Sequence, residues 1–102
     1  MANFVKVAEA GQLPAVNEVA EFPCGEKMVC IANLNGRYLA MDNTCLHRGG
    51  PLGEGTIEGG KVVCPWHGWH WDPQTGEADE NPAAKLGVYP LKVEGSDVLV
   101  DV

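Results

Sequence analysis

The sequence predicts an all-β fold, a small antiparallel sandwich or barrel. Three observations carry that expectation. Short apolar–polar alternations recur along the 102 residues, pairs of turn-forming residues separate them, and no window of a dozen residues has a helical period. At this length the chain is expected to be one domain, residues 1–102, with a single modest core.

The elements run in order. FVKVA (4–8) alternates as a half-buried strand should. PAVNEVAEF (14–22) is read as at most one helical turn. KMVCIANL (27–34) and RYLAMD (37–42) flank Asn35-Gly36, a dipeptide suited to a tight hairpin turn. TIEGGKVVC (56–64) repeats that arrangement around Gly59-Gly60. VYPLKVE (88–94) and DVLVDV (97–102) form a last hairpin around Gly95-Ser96, with Pro90 marking an edge or a bulge. Short strands joined by such turns close into a sandwich or barrel.

Composition narrows the function. The formal net charge is −7, with seven basic residues against fourteen acidic ones. Such a surface repels phosphate backbones and anionic lipid, so neither nucleic acid nor membrane is expected as a partner. The acidity either steers the protein to a basic partner or keeps it soluble. The longest apolar run, MVCIA (28–32), is far too short to span a bilayer. No basic stretch followed by an apolar one opens the chain, so no signal peptide and a cytoplasmic, reducing setting are expected. There the four cysteines, at 24, 30, 45 and 64, are metal ligands or free thiols instead of a disulfide framework.

Two segments interrupt the strands: CLHRGGPLGEG (45–55) and CPWHGW (64–69). Both are rich in Gly and Pro, begin with Cys and carry a His shortly after. Written out, the pattern is Cys45-x-His47, sixteen residues, then Cys64-x2-His67. A thiolate and an imidazole from each loop can converge on one centre, which makes 43–72 the candidate metal-binding part of the domain. A single zinc ion would take all four donors, although zinc sites usually group two cysteines as C-x2–4-C and two histidines as H-x3–5-H. The order Cys-His-Cys-His suits two unlike metal atoms, one iron held by thiolates and the other by imidazoles.

The remaining candidates carry less. His70 is expected to face solvent without binding metal, and Trp71 to be ordinary core. Cys30 reads as a small buried apolar residue and Cys24 as a loop thiol. GEGTIEG (53–59) fails as a dinucleotide fingerprint, because its third Gly falls one position late and no βαβ unit surrounds it. No flavin or nicotinamide site is legible, so electrons would have to come from another protein.

CLHRGG…CPWHGW resembles the two-box signature of Rieske [2Fe–2S] proteins, and WHWDPQTGE is similar to the segment after their second box. The closing LGVYPLKVEGSDVLVDV is similar to the last hairpin of Rieske-type ferredoxins. The resemblance implies one [2Fe–2S] cluster per chain, with Cys45 and Cys64 on the buried iron and His47 and His67 on the outer one. Trp66 and Trp69 would wall the cluster from water. Respiratory Rieske proteins carry an extra cysteine in each box, joined as a disulfide; Gly50 and Trp66 stand there in this chain. They also have Ser and Tyr hydroxyls that donate to cluster sulfurs, at the places of Trp69 and Trp71 here. Without those hydroxyls the potential is expected in the lower part of the Rieske range of about −150 to +300 mV.

These departures point to the ferredoxin components of bacterial ring-hydroxylating dioxygenases. The resemblance then implies a monomeric electron carrier, not an enzyme, moving electrons from a reductase to a terminal oxygenase in aromatic hydrocarbon catabolism. A small subunit of an assimilatory nitrite reductase, a carrier for another monooxygenase and a zinc-stabilised binding module are the alternatives.

Overall fold

The computed structural model describes residues 4–45, 49–66, 68–81 and 83–101. Its strands are β1 (Phe4–Glu9), β2 (Val19–Cys24), β3 (Lys27–Leu34), β4 (Arg37–Asp42), β5 (Thr56–Glu58), β6 (Lys61–Val63), β7 (His70–Trp71), β8 (Val88–Tyr89), β9 (Leu91–Glu94) and β10 (Asp97–Asp101). They form three antiparallel sheets in the orders β1-β10-β9, β2-β3-β4-β8 and β5-β6-β7. The helical residues among those described make up two 3₁₀ turns, Ala10–Gln12 and Leu52–Glu54. The all-β expectation holds.

All three expected hairpins form. At Asn35-Gly36 both residues have positive φ, 54° and 93°, and Leu34 pairs with Arg37. Glu58 pairs with Lys61 across Gly59-Gly60, and Glu94 with Asp97 across Gly95-Ser96. One reading needs correction. The segment read as a possible helical turn supplies β2 instead, an edge strand zipped to β3 from Val19↔Ala32 to Cys24↔Lys27. Pro23 fits there because an edge strand tolerates a residue without an N–H. Pro90 marks an edge as expected, and with it a change of sheet: β8 before it is the edge strand paired with β4, and β9 after it is the edge strand paired with β10.

β3 explains why MVCIA is apolar without alternation. Its residues Val29 to Asn33 are all buried, because both faces of the strand are covered. On one face Ile31 joins Ala8, Ala40, Val98 and Val100, filling the space beneath the β1-β10-β9 sheet. On the other, Cys30 and Ala32 join Met41, Leu52, Val62 and Trp71, together with Cys45 and Cys64. The second core is the floor on which the two Gly/Pro loops sit.

Candidate metal centre

The two loops are built on one frame. The Cys45 N–H donates to the Gly50 carbonyl at 2.9 Å, and the Gly49 N–H returns to the Cys45 carbonyl at 2.7 Å. In the second loop the Cys64 N–H donates to the Trp69 carbonyl at 2.9 Å, and the Gly68 N–H to the Cys64 carbonyl at 3.2 Å. The donors and acceptors occupy the same offsets from each cysteine. Gly49 and Gly68 therefore hold equivalent places, with φ of 78° and 74°, a left-handed conformation that disfavours side chains.

The frames bring the thiols together. Cys45 and Cys64 are both buried in the same core, and neither is in a disulfide. Gly50 permits this approach, since a Cβ there would stand 2.6 Å from Cys64 Sγ and 3.0 Å from Trp66 Cγ. Burial pushes the Cys64 thiol above its ordinary value; the Trp66 N–H, 3.4 Å from Sγ, works against that shift, and Cys45 adds to it. Without metal this thiol is protonated at neutral pH, so binding a metal there releases a proton.

Among the described residues no group of three or more His, Cys, Asp or Glu side chains is placed to hold a metal ion. The other two expected donors, His47 and His67, lie outside the described residues.

Each loop is mounted differently. Asn43, which no sequence motif singles out, anchors the first. Its Oδ1 accepts the Gly53 N–H at 2.8 Å, its Nδ2 donates to Glu21 Oε2 at 2.8 Å, and its carbonyl accepts the Leu52 N–H at 2.6 Å. One buried residue thus ties the exit of β4, the loop and β2 together. The second loop leans on β7, where the Trp69 and Trp71 ring centroids lie 6.0 Å apart. The neighbouring His70 is not simply solvent-facing: it is half-buried, with Nδ1 2.6 Å from Glu80 Oε2.

Other expectations divide. Trp71 is fully buried, as expected of core, and so is Cys30, whose thiol burial pushes up to about 12 with Glu21 adding to the shift. Cys24 is not a loop thiol: it ends β2 and is buried, because the hairpin continues to its pairing with Lys27. Trp66 is 51% exposed, so it covers Gly50 on one side and meets solvent on the other instead of sealing the site.

A small all-β protein with two buried thiols converging from twin Gly/Pro loops defines a class, scaffolds for a thiolate-held metal centre. Residues 3–90 match the family described as the Rieske [2Fe-2S] domain. The chain is 35% identical over 98 residues to the ferredoxin component of biphenyl 2,3-dioxygenase from Rhodococcus jostii (strain RHA1), covering 95% of this chain and 91% of that one. It is 45% identical over 47 residues to the oxygenase component of 3-ketosteroid-9-alpha-monooxygenase from Mycobacterium tuberculosis (strain ATCC 25618 / H37Rv), 46% of this chain but only 12% of that longer protein. A solved complex of reduced oxygenase and oxidized ferredoxin in carbazole 1,9a-dioxygenase contains a chain that superposes with a TM-score of 0.81 at 26% identity, covering 96% of this chain and 92% of that one. This chain belongs to the Rieske [2Fe–2S] family, and one [2Fe–2S] cluster is its cofactor.

The residues present fit that group. Two free, adjacent, buried thiols are the donors that an iron of such a cluster takes. The Trp66 N–H is already aimed at one of the two sulfurs.

Proposed function

We propose that the chain is a one-electron carrier that takes electrons from a reductase and delivers them to a terminal ring-hydroxylating oxygenase. On this reading Cys45 and Cys64 hold the inner iron, and His47 and His67 the outer one. Residues 1–102 act as a single domain, with 43–72 as its cluster-binding part. The observation that carries the proposal is the pair of matched loop frames, which places the two thiols side by side at the floor of the site.

When bound, the cluster supplies reversible one-electron chemistry, its thiolate and sulfide charges offsetting the two ferric ions and leaving one negative charge on reduction. The protein's part is to hold and insulate. Trp71, Leu52 and Val62 keep water from the inner face, while half-exposed Trp66 marks the side open to a partner. The relatives named as ferredoxin components, and the oxygenase–ferredoxin complex, support an oxygenase as acceptor and argue against catalysis by this chain alone. The carrier is proposed to be a cytoplasmic monomer; among the described residues no helix is long and apolar enough to cross a membrane. Of the acidic groups near the loops, Asp79 is engaged by Lys61 at 2.8 Å and Glu80 by His70. Glu54, Glu58 and Glu77 are then the better placed to steer a basic partner.

The test is direct. Purified protein is expected to be brown, with two irons and two acid-labile sulfides per chain, and to pass electrons between a reductase and an oxygenase of this kind. Cys64→Ser and Cys45→Ser are expected to abolish the colour, while Cys30→Ala retains it. A colourless protein with stoichiometric zinc, purified from iron-replete cells, sinks the proposal.

A further inference from the structure

Trp71 stands where respiratory relatives carry a tyrosine hydroxyl, and by that comparison the donor should be missing. The structure shows a donor of another kind. Trp71 is fully buried, and its indole Nε1 is the one buried side-chain nitrogen or oxygen among the described residues without a hydrogen-bond partner. A buried N–H left unpaired forfeits its hydration with nothing in return, so native proteins rarely leave one. The protein around this group is poor in acceptors: Leu52, Val62, Met41 and Leu86 share its core. A trapped water is a poor answer, because a buried water needs two to four polar partners. The remaining members of that core include the two thiols, Cys45 and Cys64.

We infer that the Trp71 indole N–H donates a hydrogen bond to a sulfur of the bound cluster, a cysteine thiolate or a bridging sulfide. This rests on the assignment of Cys45 and Cys64 to the cluster. It makes Trp71 a potential-tuning residue as well as core. The reduced cluster carries the extra negative charge, so a donor to its sulfur stabilises that state more than the oxidised one. The absence of hydroxyls then does not leave this cluster without a side-chain donor. Its potential lies above that of an otherwise identical site with Phe at 71.

The test uses the loaded protein and its Trp71→Phe variant, which keeps an aromatic ring but removes the N–H together with part of the ring volume. Iron and sulfide are counted first; a failure there counts against the cluster assignment and not against the hydrogen bond. In loaded protein, Trp71→Phe is expected to weaken the preference for the reduced state about tenfold, a fall in potential of about 59 mV for a one-electron couple. Because repacking alone can move a potential, a second readout is needed. With tryptophan labelled by ¹⁵N in the indole ring, the reduced, paramagnetic cluster of the unsubstituted protein is expected to show a ¹⁵N hyperfine coupling. That coupling disappears in Trp71→Phe. No ¹⁵N coupling in fully loaded protein, or one that survives in Trp71→Phe, overturns the inference.

Discussion

The two loops share a hydrogen-bond frame and differ in how they are mounted. In both, the cysteine N–H reaches a carbonyl five residues on, and a glycine N–H four residues on returns to the cysteine carbonyl. Beneath the first, Asn43 makes three hydrogen bonds that join β4, the loop and β2, and Gly53 approaches Glu21 so closely that a Cβ would lie 2.4 Å from the Glu21 Cβ. Beneath the second are a two-residue strand, a pair of tilted indoles and a half-exposed ion pair. The frame aims the thiol; the mount sets how firmly it is aimed. Counted in buried hydrogen bonds, the first loop is held more firmly than the second.

The largest expected effect comes from removing the first mount. Asn43→Ala deletes both side-chain bonds and leaves the Gly53 N–H without its acceptor. With about 1 kcal/mol per bond and a further penalty for the orphaned donor, about 3 kcal/mol of stability should be lost. For a domain of this size that corresponds to a fall in melting temperature of more than about 10 °C. Thermal bleaching of the visible absorption, followed beside far-ultraviolet circular dichroism, reads the loss. A fall of only a degree or two would show that the β4 exit is held by its backbone alone.

Next in size is a contrast between glycines. Gly50→Ala drives a methyl group into Cys64 Sγ and Trp66, an overpacking that costs about 1–3 kcal/mol and separates the two sulfurs. Gly68→Ala meets no atom within 4 Å and carries only the left-handed backbone cost, about 1 kcal/mol. Iron per chain should therefore fall in Gly50→Ala and stay near two in Gly68→Ala. Equal loss in both would mean that backbone conformation, not the sulfur-to-sulfur approach, limits the site.

What the sequence disclosed obeys the same division. Turn chemistry is local, so Asn35-Gly36, Gly59-Gly60 and Gly95-Ser96 announced their hairpins. The Cys and His spacing announced the loops. β2 stayed hidden because Val-Ala-Glu-Phe-Pro-Cys has weak alternation and a proline; pairing with β3 makes it a strand. The change of sheet at Pro90 depends on contact with β4, nearly fifty residues earlier, and no local signal encodes it. Asn43 looked like one more polar residue after a strand, since its partners Glu21 and Gly53 are remote or unremarkable in sequence. The burial of Cys24 and the exposure of Trp66 are likewise facts of packing.

The smallest effect probes the second mount. Glu80 holds His70 twice, Oε1 accepting the backbone N–H at 2.8 Å and Oε2 facing Nδ1 at 2.6 Å. The Glu80 hydrogen bond raises the His70 pKa above the ordinary 6.5, with burial opposing. Burial tends to raise Glu80, but its bonds to His70 and to backbone outweigh that and bring it below the ordinary 4.5. The histidine's contribution to stability is full below 6.5 and fades as pH rises through its raised folded value. The carboxylate's is full above 4.5 and fades as pH falls through its lowered one. The charged pair is thus complete from Glu80's lowered pKa up to His70's raised one. A pair this exposed contributes under about 1 kcal/mol, so Glu80→Gln should shift the melting temperature only slightly near neutral pH. The clearer signal is in the imidazole. In cluster-loaded protein, nuclear magnetic resonance titration of His70 should place its pKa above 6.5. Glu80→Gln should lower it, while the side-chain amide carbonyl of the variant still accepts the His70 backbone N–H. An unchanged His70 titration would mean that the second loop stands on its β7 pairing and its indoles, with the ion pair as surface decoration.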